Sequence, residues 1–325
     1  MASPRLVLAV DGGNSKTDVA VVSEDGQVLA TGRSGGFAPQ RDGVEAAVSV
    51  VEQALSTLPR PAGGFDHVSA CLAGADLPVE EEALARELAA RGLGGDVVVR
   101  NDTFALLRAG ASAPWGVAVV CGAGINAVGV SPTGAVARFP ALGRISGDWG
   151  GGQGLAEEAL WYAARAEDGR GTPTALTGLI TSHFGTATVE ELVLEVHFGR
   201  LAEDRLHELS PGVLAMAADG DAVARSLVER QAEEVTVLAE VCLRRLGLLE
   251  TPAEVVLGGG MLTARDPLLM SLLDSAFAVR APRAKLVLAD VPPIVGAALL
   301  GLEHLGAAEA AKTRLRARYD PSGAG

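Results

Sequence analysis

Three glycine-rich bends in this sequence each follow a run of apolar residues. The first is Gly12-Gly13, after "LVLAVD"; the second spans 122–124, after "GVAVVC"; the third spans 258–260, after "AEVVL". Glycine lets a backbone approach a ligand closely and point its N–H groups at an anion. Any one bend could be only a turn, but three at the ends of predicted strands indicate a site that binds phosphate groups.

Two common phosphate motifs do not account for these bends. The dipeptide Gly-Lys occurs nowhere in the chain, which excludes a Walker A loop. The stretch "GAGINA" (122–127) matches the dinucleotide fingerprint, but that fingerprint must open a helix. Here "VGVSPTG" (128–134) follows and is typical of a strand and a tight turn, so the context rejects a dinucleotide site of this kind.

Length and charge limit the classes of protein. A chain of 325 residues exceeds one core of usual size, so two domains are expected. The net charge of −13 argues against nonspecific nucleic-acid binding, which needs a basic surface. No apolar stretch reaches the roughly 18–20 residues that span a bilayer, and the first ten residues lack a signal-peptide layout. We therefore expect a soluble, cytoplasmic protein without a membrane or nucleic-acid partner.

The three cysteines, Cys71, Cys121 and Cys242, are isolated from one another. They form no C-x-x-C pair and have no histidine at metal-ligand spacing. A structural zinc or iron–sulfur site within one chain is not expected, whereas a cluster shared between two chains stays open.

The elements around the first bend alternate between strand and helix patterns. Valine-rich runs at 6–10, 18–22 and 28–30 predict strands, with a hairpin signal at Asp25-Gly26. Further on, helical spacing at 43–58 and 78–92 alternates with apolar runs; the runs are 67–74 and 96–102. This alternation predicts an α/β domain with a mixed sheet.

The same plan restarts in "GVAVVCGAGINAVGVSPTGAV" (116–136), with a strand, a glycine turn, a strand, a tight turn and a strand. A duplicated unit at the start of each half predicts two similar domains, divided near 113–116. We place the first domain at 1–114 and the second at 115–311. The remaining residues, 312–325, are expected to be a flexible tail.

Taken in order, these stretches resemble a known superfamily. "VDGGNSKTD", "CGAGINAVG" and "LGGGML" resemble the phosphate and adenosine loops of the sugar kinases and actin-like ATPases, and "RNDTFALLRAG" resembles their catalytic strand end. "GRISGDWGGGQGLAEEAL" and "DGRGTPTALT" resemble the branch holding N-acetylglucosamine kinases and BadF/BadG-type ATPases. The resemblance covers roughly 5–300. It implies two actin-like (ribonuclease H-like) domains, each a mixed sheet flanked by helices, with ATP in the cleft between them.

The resemblance assigns roles to the first bend. Asp11 would hold Mg²⁺, through water because magnesium keeps much of its hydration. Gly12 and Gly13 would let the backbone approach phosphate, Ser15 would donate a hydrogen bond, and Lys16 would supply a point charge. The plain alternatives are a turn-forming aspartate and a solvated surface lysine.

The resemblance makes Asp102 the catalytic base. It follows the apolar run "DVVVR" and would orient a sugar hydroxyl and accept its proton as the bond to phosphorus forms. The competing interpretation is that Asn101 or Asp102 only caps the helix "TFALLRAG".

The second half would supply the nucleotide and sugar contacts. Gly122 and Gly124 would contact the ATP phosphates, and the backbone at Gly258, Gly259 and Gly260 would pass under the adenosine. The residues assigned to the sugar are Asn101, Asn126 and Asp148.

The sequence departs from the family pattern in two places. The stretch "SGGFAPQ" (34–40) lacks the asparagine that touches sugar in the family, which puts the identity of the sugar in doubt. Ala123 and Ile125 stand where small hydroxyl residues are common, which removes side-chain donors and leaves the backbone ones.

We therefore predict an ATP- and Mg²⁺-dependent phosphotransferase that phosphorylates the 6-hydroxyl of N-acetylglucosamine. Glucosamine or another hexosamine is the alternative substrate. An ATPase that activates a partner enzyme through an iron–sulfur cluster shared by two subunits is a different class, as is a catalytically silent sugar sensor. Cys121 in a predicted buried strand argues against the activator, and the presence of Asp11 and Asp102 argues against the sensor. Members are commonly dimeric, so the resemblance implies a homodimer.

Overall fold

The computed structural model describes residues 4–61 and 63–319, which form ten strands and thirteen α-helices. The strands are β1 (Leu6–Gly12), β2 (Thr17–Ser23), β3 (Val28–Ser34), β4 (His67–Leu72), β5 (Val97–Asn101), β6 (Gly116–Cys121), β7 (Ile125–Val130), β8 (Val136–Arg138), β9 (Glu254–Gly258) and β10 (Lys285–Leu288). The helices are α1 (Pro39–Asp42), α2 (Val44–Leu55), α3 (Pro78–Ala90), α4 (Asp102–Gly110), α5 (Gly151–Glu167), α6 (Leu176–Phe184), α7 (Val189–His197), α8 (Ser210–Ala218), α9 (Ala222–Arg245), α10 (Gly260–Thr263), α11 (Pro267–Arg280), α12 (Pro293–His304) and α13 (Glu309–Arg318). Short 3₁₀ helices lie at Gly143–Ser146 and Glu203–Leu209.

The chain divides into two compact units whose bounds differ from the predicted ones. The first contains the residues up to Ala118, then Val130–Pro140, and the chain from Ala289 onward; the second contains Val119–Gly129 and Ala141–Leu288. Helix α12, which the sequence analysis placed in the second domain, therefore belongs to the first unit, as does α13.

The first sheet is mixed, in the order β3-β2-β1-β4-β5. Strands β1, β2 and β3 pair antiparallel, whereas β1, β4 and β5 run parallel. The register places Asp11 beside Cys71, and Cys71 beside Arg100. The parallel strands thus end at one edge, and that edge carries Asp11 at the end of β1 and Asp102 directly after β5.

Both faces of this sheet are buried, because alternate residues of β1 enter two different cores. Leu8 and Val10 belong to a core with residues of α2 and α3. Val7 and Ala9 belong to another core with residues of α12. Successive side chains of a strand point to opposite faces of the sheet. Since those of β1 are mostly small and apolar, neither of its faces is polar.

Helix α12 joins the first unit because its glycines permit close packing. A β-carbon added at Gly296 would lie 2.7 Å from the carbonyl carbon of Ala105 and 2.9 Å from the backbone nitrogen of Ala109, both in α4. Since α4 begins at Asp102, the C-terminal part of the chain supports the helix that carries the predicted base. Residues 312–318, predicted as part of a tail, form most of α13, which buries Leu315; residues 320–325 lie outside the described residues.

We expect Gly296→Ala to destabilise the protein by roughly 1–3 kcal/mol, because the methyl group overpacks the contact between α12 and α4. Urea unfolding followed by circular dichroism measures this change. The matched control is Gly178→Ala in α6, where nothing lies within 4 Å of the added β-carbon. That control should be stabilised by about 0.5–1 kcal/mol through helix propensity. Equal stability of the two variants would contradict the packing argument.

The second unit is built around glycine turns and a long helical segment. The second sheet has the order β10-β9-β6-β7-β8, with β9 and β10 parallel. Helices α5 to α9 fill most of 151–245, and α11 follows the third bend and α10. Across the described residues, no helix is both long and apolar enough to cross a membrane.

Candidate active site

Asp11 is a buried carboxylate at the end of β1, with 8 % of its surface exposed. Burial, together with the charges of Asp102 and Asp18, raises its pKa to about 7, against a smaller opposing effect of Lys16. A carboxylate in this environment is stabilised in its charged form only when a cation approaches it. The site therefore favours positive charge beside Asp11.

Asp18 lies opposite Asp11 across the β1–β2 pair, and its carboxylate forms ion pairs with Lys16 and Arg33. Its carboxylate accepts hydrogen bonds from Lys16 Nζ at 2.8 Å and from Arg33 Nε at 2.5 Å. Burial alone would raise the pKa of Asp18, but these two hydrogen bonds hold it below the ordinary value. Lys16 is half-exposed, so its predicted role at phosphate requires it to leave Asp18.

The first bend is a tight turn whose N–H groups are only partly used. Gly13 N–H donates to the carbonyl of Lys16 at 2.9 Å, so the donor predicted at Gly13 already closes the turn. In the described part of the chain, the N–H groups of Asn14 and Ser15 have no partner, and both residues are exposed. Gly12 is required by packing, because a β-carbon there would lie 2.8 Å from Leu72 Cδ2. The turn thus presents Asn14 and Ser15 to an anion.

Asn101, not Asp102, is the N-cap of α4. Asn101 Oδ1 accepts hydrogen bonds from Thr103 N–H at 3.0 Å and from the Thr103 hydroxyl at 2.6 Å. Its Nδ2 donates to Asp76 Oδ1 at 2.8 Å. Asn101 is buried, with 4 % exposure, and its amide is bonded within the protein. This arrangement makes Asn101 a positioning residue, and its predicted contact with sugar stays a prediction.

Asp102 is not the N-cap of α4, because the neighbouring Asn101 performs the capping. Burial raises the pKa of Asp102 to about 6, while backbone N–H groups at Thr103 and at Asp102 itself act in the opposite direction. The residue remains partly accessible to solvent. A carboxylate with this pKa is ionised at neutral pH and is more basic than an ordinary aspartate, which suits a general base.

The sequence analysis missed a polar network that supports Asn101. The carbonyl of Asp76 accepts a hydrogen bond from Arg138 Nη2 at 2.5 Å, and Arg138 Nη1 lies 3.0 Å from Glu81 Oε1. Gln40, in the stretch without the family asparagine, donates to the carbonyl of Gly74 at 2.8 Å. These partners are far apart in sequence, so no local pattern could have identified them.

The second bend is anchored on the start of α5. Gly122 O accepts a hydrogen bond from Gly152 N–H at 2.7 Å, and Ala123 O accepts one from Gln153 N–H at 2.9 Å. A β-carbon at Gly151 would lie 2.5 Å from the carbonyl carbon of Gly124. The second bend is therefore held by hydrogen bonds and close packing against the run "GDWGGGQG" (147–154). The family resemblance alone did not explain this role.

The third bend lies against the second. Gly259 has a φ of 87°, and a β-carbon there would lie 2.7 Å from the backbone nitrogen of Gly122 and would overlap the Cys121 carbonyl. Gly258 ends β9 and Gly260 begins α10. The structure thus brings Gly122, Gly124 and Gly259 together within the second unit, as a backbone surface without side chains.

Asp148 lies in a pocket of about 330 Å³ beside the second bend. Its Oδ2 accepts hydrogen bonds from the Ser146 hydroxyl at 2.6 Å and Gly143 N–H at 3.1 Å, while Oδ1 has no partner among the described residues. Asn126 lies in β7, and its Oδ1 accepts from Ala127 N–H at 2.7 Å. Asp148 therefore orders its loop through one carboxylate oxygen, while the other faces no partner among the described residues.

Three further polar side chains line this pocket, Arg144, Gln153 and Glu157, which the sequence analysis did not single out. The last two lie on α5. Gln153 Nε2 donates to Glu157 Oε1 at 2.9 Å. Their spacing of four on α5, directly after the glycine run, was the signal that placed both on one helix face. They add an amide and a carboxylate to the polar groups around Asp148.

The two five-stranded sheets, the glycine bends and the aspartates at the sheet edge define the fold of the sugar kinases and actin-like ATPases. The chain belongs to the BadF/BadG/BcrA/BcrD ATPase family, whose model matches residues 8–301. The family expected from the motifs is thus confirmed.

Curated relatives extend over most of the chain. An N-acetyl-D-glucosamine kinase of Dictyostelium discoideum is 23 % identical over 316 residues, covering 92 % of this chain and 98 % of that protein. An N-acetylmuramic acid/N-acetylglucosamine kinase of Clostridium acetobutylicum is 23 % identical over 262 residues, covering 79 % and 86 %.

Solved structures share the fold. A candidate N-acetylglucosamine kinase from Chromobacterium violaceum superposes with a TM-score of 0.72 at 22 % identity, covering 92 % of this chain and 99 % of that one. A ROK family glucokinase from Streptomyces griseus, in complex with glucose and AMPPNP, gives 0.56 at 18 % identity over 92 % and 99 %. The predicted α/β fold class is confirmed.

Proposed function

We propose that this protein is an ATP-dependent amino-sugar kinase that converts N-acetylglucosamine to its 6-phosphate. The observation that carries the proposal is the carboxylate of Asp102. It lies at the start of α4 and has a raised pKa, and it is not the N-cap of that helix because Asn101 is. The names of the curated relatives, both N-acetylglucosamine kinases, support this choice of sugar. Because the stretch 34–40 lacks the asparagine that touches sugar in the family, glucosamine and other hexosamines remain the alternative substrates.

Asp102 is proposed to act as the general base. Its carboxylate orients the sugar hydroxyl and accepts the proton as the hydroxyl oxygen bonds to the γ-phosphorus. Because the transition state of phosphoryl transfer is loose, the proton leaves late and a carboxylate of moderate basicity suffices.

The residues around Asp11 fit the Mg²⁺ ion that this family uses. Asp11 is buried near two other carboxylates, and the direct cation partners in this part of the chain bond to Asp18. Carboxylate oxygens and water are the ligands that magnesium prefers. Asp11 would hold the ion through water, and the bound ion would neutralise charge on the phosphates.

The nucleotide is proposed to bind through backbone groups. Gly122 and Gly124 would contact the phosphates, and the bend at 258–260 would pass under the adenosine. In the first unit, the Ser15 hydroxyl and N–H would donate to phosphate, with Lys16 as a mobile charge. For the sugar, we infer that Asp148 Oδ1 and Asn126 hydrogen-bond hydroxyl groups.

The test is ADP release from Mg-ATP with a panel of N-acetylglucosamine, glucosamine, N-acetylmannosamine, N-acetylgalactosamine, glucose and no sugar. Release that depends on one sugar and is lost in Asp102→Asn supports the kinase and names its substrate. Release that does not depend on sugar, or none at all, contradicts the proposal.

A partner-activating ATPase is the second candidate, and the cysteines argue against it. All three thiols are buried, and burial raises the pKa of Cys121 and Cys242 to about 12. A cluster shared between two subunits needs thiolates at the surface. An anaerobic preparation should be colourless; a brown protein with sugar-independent ATP hydrolysis would favour the activator.

Two expectations remain and are proposed on their original grounds: a cytoplasmic location, which rests on the sequence pattern, and a homodimer, which rests on the family resemblance. Light scattering on the purified protein tests the second.

Gly259→Ala is expected to raise the KM for ATP by roughly tenfold or more, because the added methyl group displaces the second bend against which Gly259 packs. The matched control is Gly43→Ala between α1 and α2, where φ of 84° and ψ of 157° nearly equal the 87° and 155° of Gly259 but open space surrounds the added carbon. That control carries the same backbone strain and should leave the KM unchanged. A similar KM in both variants would show that the close contact does not shape the nucleotide site.

The raised pKa of Asp102 predicts the pH profile of sugar phosphorylation. The base must be ionised, so kcat/KM should fall about tenfold per pH unit as the pH drops below about 6. An ordinary solvated aspartate would hold activity down to about pH 4. A profile that stays flat between pH 6 and 4.5 would exclude Asp102 as a base of raised pKa.

A further inference from the structure

A cluster of two histidines and one aspartate lies at the opposite edge of the first sheet from Asp102. His67 begins β4, Asp96 directly precedes β5, and His304 ends α12. His67 Nδ1 lies 2.9 Å from Asp96 Oδ2, and His304 Nε2 lies 2.6 Å from the same oxygen. Within residues 4–61 and 63–319, no other group of three or more such side chains converges closely enough to hold a metal ion.

We propose that His67, Asp96 and His304 form a binding site for a divalent transition-metal ion of the zinc type. Two imidazole nitrogens and one carboxylate oxygen are a ligand set that Zn²⁺ takes in proteins, with water in the open position. The three candidate ligand atoms all lie within 4.8 Å of one another. This site is separate from the nucleotide and sugar residues and serves a different purpose.

The cluster must adjust on its exposed side, at Asp96 and His304, to admit the ion. With metal–ligand distances of about 2.1 Å, ligand atoms of a tetrahedral site lie about 3.4 Å apart, so the present pairs must separate by less than about 1 Å. The side chains of Asp96 and His304 are 49 % and 40 % exposed and can move outward, whereas His67 is fully buried and fixed. The two imidazole rings are stacked, with centroids 4.0 Å apart and planes only 8° from parallel, so the exposed ring of His304 must tilt before both nitrogens can face one ion.

The bound ion would join three elements of the first unit. It would fasten the end of α12 to the starts of β4 and β5. Since α12 packs through Gly296 on α4, the ion would stabilise the support of the helix that begins at Asp102. Its effect should therefore appear in thermal stability rather than in the chemistry of phosphoryl transfer.

Co²⁺ titration of the full chain, freed of any affinity tag and of metal by EDTA and dialysis, tests the proposal. We expect one Co²⁺ per chain, with the visible absorption of a four-coordinate ion that Zn²⁺ then displaces. Saturating Zn²⁺ should also raise the Tm, because the ion binds the folded state alone. Wild-type protein without a saturable signal would overturn the proposal whatever the variants do.

Two variants and one control locate the ion. His304→Ala and Asp96→Asn change partly exposed side chains and should each weaken Co²⁺ binding at least about 100-fold. His197→Ala removes an exposed histidine at the end of α7 and should change nothing. A signal that survives both cluster variants, or that disappears in His197→Ala, places the ion elsewhere and contradicts the assignment.

Discussion

Asp102→Asn should lower kcat for sugar phosphorylation by roughly 10²- to 10⁴-fold, while the KM for ATP changes little. The substitution keeps the size of the side chain and removes its ability to accept a proton. The fold should tolerate it, because the N-cap of α4 is the neighbouring Asn101, whose bonds to Thr103 and Asp76 are untouched.

Steady-state kinetics with saturating Mg-ATP and the best sugar of the panel measure this loss. Asp219→Asn, at an exposed position after α8, is the control and should keep full activity. If Asp102→Asn retained more than about a tenth of the wild-type kcat, Asp102 would not be the base. Asp102 would then be only a residue in the first turn of α4.

Asp11→Asn should remove activity and stabilise the fold at the same time. The folded-state pKa of Asp11 is about 7, against 3.8 for an ordinary aspartate, so the folded state holds this proton more tightly than the unfolded one. Ionised Asp11 therefore costs stability, and the cost grows as the pH rises from about 4 to 7 and is complete above that. A shift of this size corresponds to at most about 4 kcal/mol.

We expect the free energy of unfolding of Asp11→Asn to exceed that of the wild type by about 1–4 kcal/mol at pH 8 in EDTA, and the difference to vanish near pH 4. Urea unfolding at both pH values measures it. Asp18→Asn is the matched control with the opposite sign, because Arg33 and Lys16 hold the pKa of Asp18 low. That variant should be less stable than the wild type at pH 8, and a stabilised Asp18→Asn would refute the charge assignment.

The expected loss of activity in Asp11→Asn tests the magnesium role separately from stability. A folded, stabilised variant that still phosphorylated sugar at the wild-type rate would show that Asp11 does not serve the metal. Stability and activity thus report on different properties of one carboxylate, and each can fail without the other.

The sequence by itself determined the features that depend on neighbouring residues. Period-two runs of valine and alanine specified the strands, and glycines after those runs specified the bends. The order of the motifs was enough to identify the family that the matching model then confirmed. Asp11 and Asp102 could be singled out because each follows a buried strand, and a strand end has a predictable place at the edge of a sheet.

Only the tertiary structure decided how these local features are held. It assigned the helix cap to Asn101 and not to Asp102, a choice between adjacent residues that depends on which way each side chain turns. It placed α12 in the first unit, because Gly296 fits against a helix almost two hundred residues earlier. It hydrogen-bonded the second bend to the glycine-rich start of α5.

These decisions share one physical reason. Local propensity and periodicity act over a few residues, whereas close backbone packing and shared hydrogen bonds join segments far apart in the chain. No pattern within a short window contains both partners of such a contact.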